Sequence, residues 1–247
     1  MIDYACGAGH FLTEAIEEVS LQFINIDSKR LSGQQSRYFQ SSKDNFLWAR
    51  DYIYGIEKDQ RLARTTKIAL FLNGDGDATI LSGDGLDDFY YSLKYNNKLK
   101  SKKPTQSISS FDVVASNPPF SIDGFINNVT NSDTNFTLNK YATHKSSEIE
   151  CFFIERTLQL LKEGGCAGII LPLSILNNKK SIYIGARKLL LLYSTIVGII
   201  ELRSKAFMAT GTSACILYFK KKCFSEIEYA AKAFQKDFEG SDEKPCI

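Results

Sequence analysis

Histidine is scarce in this 247-residue chain, which has only His10 and His144, along with one tryptophan, two methionines and five prolines. The six cysteines (Cys6, Cys151, Cys166, Cys215, Cys223 and Cys246) contain no CxxC pair. A structural zinc site needs about four convergent ligands, so the sequence argues against a resident metal. Cys166 and Cys215 lie in apolar runs and are expected as small core residues. Without a disulfide pattern, a reduced and cytoplasmic setting is the default. No apolar run approaches the roughly 20 residues that span a bilayer, and no export-type pattern of a charged then an apolar segment is visible. A membrane partner is therefore not expected. Neither sign of charge is in excess: 30 basic against 28 acidic residues leave +2, a balance that neither marks nor excludes a nucleic-acid partner.

What is present is a globular composition. Apolar residues make up 44% of the chain, enough to bury a core and to exclude a disordered tail or a fibre. The length suits one ordinary domain or two small ones. Short β-rich runs alternate with helical periodicity, the pattern of a mostly parallel sheet covered by helices. Strands are expected at Met1–Asp3, Tyr52–Glu57, Ala78–Asp84, Phe111–Ser116, Ala167–Pro172, Ser194–Leu202 and Ser213–Lys221. Helices are expected at Phe11–Ser20, Asp59–Asn73, Ser146–Lys162 and Lys180–Leu192, the third closed by the glycines of Glu163-Gly164-Gly165. Only a loop, Arg203–Thr212, separates the last two strands. A parallel neighbour would need a crossover of a dozen or more residues, so the final strand is expected to run antiparallel. Gln22–Arg50 reads as an insertion, Ser121–Lys145 as a long functional or disordered loop, and the stretch from Cys223 as an appended helix.

Two constellations carry chemistry. The first is Asp3-Tyr4-Ala5-Cys6-Gly7-Ala8-Gly9-His10-Phe11, a strand stub running through a glycine turn into a helix. Such a turn lets a ligand approach the backbone and aims free N–H groups at it. Glu57 and Asp84 end the next two strands. Acids there can accept ribose hydroxyls and an adenine amino group, at the strand ends where open α/β sheets bind ligands. The second is Ser116-Asn117-Pro118-Pro119-Phe120, directly after a strand. Two prolines stiffen the backbone and remove two donors. The asparagine and proline oxygens can then face one amino group, and Phe120 offers a flat stacking surface.

Together, DxACGxGxF, an acidic strand end, GD and NPPF resemble the DNA adenine-N6 methyltransferases. The similarity is greatest to modification subunits of type I restriction–modification systems and to the methylase part of fused restriction enzymes, and it runs from Asp3 to about Lys222. The resemblance implies a Rossmann-like α/β sheet that binds S-adenosylmethionine, mostly parallel with an antiparallel last strand and helices on both faces. It implies a catalytic domain over 1–222, with an insertion at about 22–50 and a long loop at about 121–145, and a C-terminal extension over 223–247. It assigns the cofactor to Asp3, Ala5, Cys6, Gly7 and Gly9, its ribose to Glu57 and its adenine to Asp84. Asn117, Pro118, Pro119 and Phe120 would hold the target N6 amine, with Phe120 and Phe207 stacking on a flipped adenine. The implied partners are double-stranded DNA, a specificity subunit and a restriction subunit, with no metal.

Departures from the family pattern are Tyr4 in place of a usual proline and His10 in place of a frequent glycine. The first strand has only Met1–Asp3, and relatives carry a helical region before this motif, so the chain is expected to be N-terminally truncated: a fragment, or one piece of a split enzyme. Two other readings stay open: a methyltransferase acting on an RNA amine or a protein glutamine, and an inactive remnant that binds other restriction–modification subunits. Asn73–Asp77 is rejected as a calcium loop, because Ala78 and Asp84 stand where glycine and glutamate are needed. The run Lys94, Lys98, Lys100, Lys102, Lys103 and the end Lys220–Lys222 fall at the sheet edge away from the motifs. Lys140, His144, Lys145, Arg203 and Lys205 are better placed to meet DNA phosphates.

Overall fold

Every strand expected from the periodicity is present in the computed structural model, which describes residues 1–24, 26–27, 29, 31–34, 36, 47–72, 78–89, 95, 99, 110–129, 132–203 and 213–237. The chain forms two compact units, Met1–Gly85 and Leu86–Ile247.

The first unit holds β1 (Ile2–Asp3), α1 (His10–Ile24), α2 (Leu47–Tyr52), β2 (Tyr54–Glu57), α3 (Gln60–Leu72) and β3 (Thr79–Ser82). Its strands run in the order β3-β2-β1. All are parallel, with Asp3 opposite Gly55 and Glu57 opposite Ser82. The helices form because their apolar residues recur at helical spacing. Leu12 and Ile16 of α1 and Ala63 and Leu70 of α3 join Cys6, Trp48, Ala49, Ile53 and Ile80 in one core. Asp59 caps α3 by accepting from the Arg61 and Leu62 amides at 2.8 and 3.3 Å. The Arg61 guanidinium, followed by these amides, holds the Asp59 carboxyl below its ordinary value.

The second unit holds β4 (Phe111–Ser116), α4 (Ile149–Leu160), β5 (Leu161–Pro172), α5 (Ser181–Tyr193), β6 (Ser194–Glu201), β7 (Ala214–Lys221) and α6 (Phe224–Asp237). Its strand order is β4-β5-β7-β6, with β4 and β5 parallel and β7 antiparallel to both neighbours. The antiparallel last strand is as expected, and the stretch from Cys223 holds α6. Among its described residues the long loop after β4 forms three short turns, Phe125–Asn128, Ser132–Asn135 and Thr137–Tyr141.

Two local expectations are corrected. The helix before β5 ends at Leu160, and Lys162–Gly165 belong to the strand. Gly164, at φ 77°, makes an irregularity there rather than a helix stop, and the β4–β5 register jumps between Phe111 and Val113. Cys166 is exposed, whereas Cys215 is buried as expected. Side chains alternate along β5, and buried Gly165 and Ala167 put Cys166 on the outward side.

Candidate functional site

In the first unit the parallel strands carry the glycine turn, Glu57 and Asp84 to one edge, since all three follow C-terminal strand ends. The Cys6 amide donates to the Ile56 carbonyl at 2.9 Å, extending the β1–β2 ladder one step past the strand. The chain then bends through Gly7 and Gly9, at φ 52° and 85°. A side chain at Gly9 would meet Thr66 Cγ2 at 2.6 Å, so position and conformation both demand glycine. Buried Thr66 of α3 donates its hydroxyl to the Gly7 carbonyl at 2.6 Å and lies 2.9 Å from its own helical acceptor, Leu62 O.

Glu57 is half-buried and already engaged. Its Oε2 accepts from the Gly7 amide at 2.9 Å and its Oε1 from the Asp59 amide at 2.8 Å. Each carboxylate oxygen has a further lone pair, so ribose hydroxyls can still be received. Asp3 is buried and accepts from the Ala5 amide at 3.1 Å. Asp84 is paired with Lys58 at 2.7 Å. Burial, then the charges of Asp3 and Glu57, push the Cys6 thiol far above its ordinary value, which keeps it protonated and without a nucleophilic role. Left-handed glycines, exposed Ala8 and acids at two strand ends fit an adenosine-bearing ligand.

In the second unit Ser116 and Pro118 are buried, Asn117 and Pro119 exposed and Phe120 half-buried. The motif alternates like a strand that has just left its ladder, with the asparagine side chain on the wet side. The following loop is held by α4, all twelve residues of which are buried. Buried polar groups need partners, and Glu150, Glu155 and Gln159 each reach backbone groups of the loop. Glu150 Oε2 accepts from the Ser121 amide at 3.1 Å. Glu155 accepts from the Thr137 amide and hydroxyl at 2.6 and 2.9 Å and from the Leu138 amide at 3.1 Å, capping the turn that begins there. Burial raises the Glu155 carboxyl above its ordinary value even though these donors oppose the shift. Gln159 donates to the Asn135 carbonyl at 2.8 Å. Arg156 is fully buried between the rings of Phe89 and Phe136, 4.4 and 4.8 Å from their centroids, and donates to the Asp87 carbonyl at 2.9 Å.

The glycine turn and Glu57 are thus joined directly, and Asn117–Phe120 lead into a loop anchored on buried Glu150. Phe207 and Lys205 lie outside the described residues, as does the whole lysine run before β4. His144 is exposed, with Nδ1 2.8 Å from Asn127 Oδ1, and Lys140 lies over the Tyr141 ring. Lys221 and Lys222 reach helix-end carbonyls instead of open solvent. Sequence reading missed Thr66, Lys58, Glu150, Glu155 and Gln159. No local signal marks them, because each acts on backbone or charge brought near by folding.

Comparison with known proteins gives the family and the fold. Residues 1–233 match the N-6 DNA Methylase family. The chain is 27% identical over 264 residues to the type II restriction enzyme and methyltransferase RM.Eco57I of Escherichia coli, covering 95% of this chain and 26% of that protein. It therefore spans about a quarter of the length of that relative. Among solved structures it superposes on the type I restriction enzyme EcoKI M protein with a TM-score of 0.62 at 23% identity, over 91% of this chain and 40% of that one. A putative class I S-adenosylmethionine-dependent methyltransferase from Listeria monocytogenes gives 0.61 at 20% identity, over 90% and 53%.

Proposed function

The chain belongs to the N-6 DNA methylase family, and from that premise we propose that it transfers a methyl group from S-adenosylmethionine to N6 of adenine in double-stranded DNA, within a restriction–modification system. The observation that carries this reading is the Asn117–Phe120 turn: an exposed carboxamide after buried Ser116, stiffened by two prolines and held from behind by α4.

S-adenosylmethionine, when bound, supplies an electrophilic sulfonium methyl. The chain's own residues do the rest. Asp3, Ala5, Cys6, Gly7 and Gly9 present backbone around its methionine end, Glu57 receives the ribose hydroxyls, and Asp84 receives the adenine amine, with Lys58 orienting the Asp84 carboxylate. The Asn117 side-chain oxygen and the Pro118 carbonyl accept from the target amine and aim its lone pair. Phe120 stacks on the extrahelical base and recovers part of the few kcal/mol that flipping costs. Orientation and acceptors are sufficient for this transfer, so neither His10 nor Cys6 is needed as a base or nucleophile. Sequence specificity would come from a specificity subunit working with a restriction subunit, and the cytoplasm is where such DNA is found.

Transfer of labelled methyl from S-adenosylmethionine to DNA, RNA and protein acceptors tests the reading. Incorporation at N6 of adenine in DNA is the expected result. Transfer to RNA or a protein amide alone would reassign the acceptor, and no cofactor binding by calorimetry would leave a scaffold role. Asn117→Ala should lower transfer at least about 100-fold, with cofactor affinity within about twofold. Equal loss of both would remove Asn117 from the amine-binding role.

A further inference from the structure

We propose that Glu150 is a positioning residue for the Asn117–Phe120 turn, acting through the backbone amide of Ser121. The consequence for catalysis rests on the methyltransferase reading above; the anchoring itself does not.

Among the described residues, Ser121 is the one non-glycine residue with a left-handed backbone, at φ 52°. That conformation is unfavourable for an L-residue and persists only where surrounding contacts dictate it. Ser121 is itself exposed, so packing of its side chain does not dictate it. Its amide, however, donates to Glu150 Oε2 at 3.1 Å. The carboxyl group is held at its other end, where Oε1 accepts from the Tyr183 hydroxyl at 2.6 Å. The Ser174 hydroxyl, just past the end of β5, donates to the Tyr183 oxygen at 3.4 Å. Burial, then the Glu150 hydrogen bond, push the Tyr183 hydroxyl above its ordinary value, so it remains a donor. Glu150 is fully buried on a helix enclosed on every side, so the acceptor is stationary.

The Ser121 N–H belongs to the same planar peptide unit as the Phe120 carbonyl. Fixing that N–H fixes the plane on which Phe120 is mounted and limits the freedom of the two prolines before it. A carboxylate acceptor binds a backbone amide more strongly than a neutral one, which suits a strained site. Glu150 thus touches neither the target amine nor the cofactor. It sets the direction of the residues that do.

The experiment uses the full chain with tritiated S-adenosylmethionine and unmethylated plasmid DNA, combining steady-state kinetics with amide hydrogen exchange over residues 117–122. Glu150→Ala should lower kcat about 10- to 100-fold while KM for DNA and cofactor affinity stay within about twofold. Exchange at Ser121 should quicken at least about tenfold. Glu150→Gln, which keeps one oxygen for Ser121, should recover part of the loss, leaving kcat about two- to fivefold below the unaltered protein; if the alanine variant does not fold, this smaller loss together with faster Ser121 exchange carries the test. Unchanged exchange at Ser121 overturns the proposal. Faster exchange with unchanged kcat also overturns it, leaving Glu150 as a structural residue. If the unaltered protein transfers no methyl to any acceptor, the functional reading fails instead, and the Ser121 exchange rates alone decide whether Glu150 anchors the turn.

Discussion

Glu57 shows how one side chain can hold local structure at the place proposed for a ligand. Its two oxygens close the glycine turn and the start of α3 by accepting from Gly7 and Asp59. The same carboxylate, half-buried at a strand end, is where ribose hydroxyls would donate. Glu57→Gln keeps one acceptor oxygen and turns the other position into a donor that faces an N–H. The turn should loosen and S-adenosylmethionine affinity fall about tenfold or more, roughly 1.4 kcal/mol, as read by calorimetry. Unchanged affinity would show that the ribose is held elsewhere. Asp84 differs, because its charge is already compensated by Lys58. It can accept from an amine, but it brings little net negative charge to the site.

At the scale of elements, α4 and α5 build the platform for the loop after β4. Gly185 of α5 lies where a Cβ would come within 2.8 Å of Tyr141 and 2.9 Å of Leu138, both in the turn capped by Glu155. Gly185→Ala should therefore push that turn away and cost about 1–3 kcal/mol in denaturant unfolding; a neutral result would mean that the loop yields without strain. The end of β7 secures both helices. Lys221 donates to the Leu158 and Leu161 carbonyls at 2.7 and 2.8 Å, and Lys222 to the Leu191 carbonyl at 2.6 Å, each cation meeting the C-terminal end of a helix. Lys221→Met should cost about 1–2 kcal/mol at neutral pH.

The same lysine predicts a pH dependence. Burial lowers the Lys221 ammonium to about 8, below the unfolded value of about 10.4. Below pH 8 both states are charged and the burial penalty is fully present. Between these values the unfolded chain binds the extra proton, so stability rises with pH. The neutral amine keeps two N–H groups, enough for both carbonyls. Unfolding midpoints at pH 7.5 and 9.5 should thus move in favour of the native protein relative to Lys221→Met. A parallel shift in the two proteins would contradict this.

For the molecule as a whole, near-neutral charge bounds the strength of the proposed contact with DNA. The net charge is +2, and the basic groups on the loops following β4 and β6 are few: Lys140, Lys145, Arg203 and Lys205. With about 0.9 counterion released per neutralised phosphate, the plot of log affinity against log salt should have a slope no steeper than about −4. A steeper slope would require a basic surface other than these loops. Among the described residues no helix is long and apolar enough to cross a membrane.

The sequence by itself determined the strand–helix alternation, the antiparallel final strand and both motifs, since each rests on periodicity, loop length or contiguous residues. Phe111–Ser116 coincides with its expected strand, and the glycine turn leads into α1 as its spacing required. Tertiary structure alone decided that Glu150, Glu155 and Gln159 are buried supports instead of surface residues, that Thr66 braces Gly7, and that Lys221 and Lys222 cap helices. The reason is physical. A polar side chain in a sequence carries no mark of its partner, and these partners lie 17 to 63 residues away, on backbone groups whose need for a donor or acceptor arises only when packing excludes water.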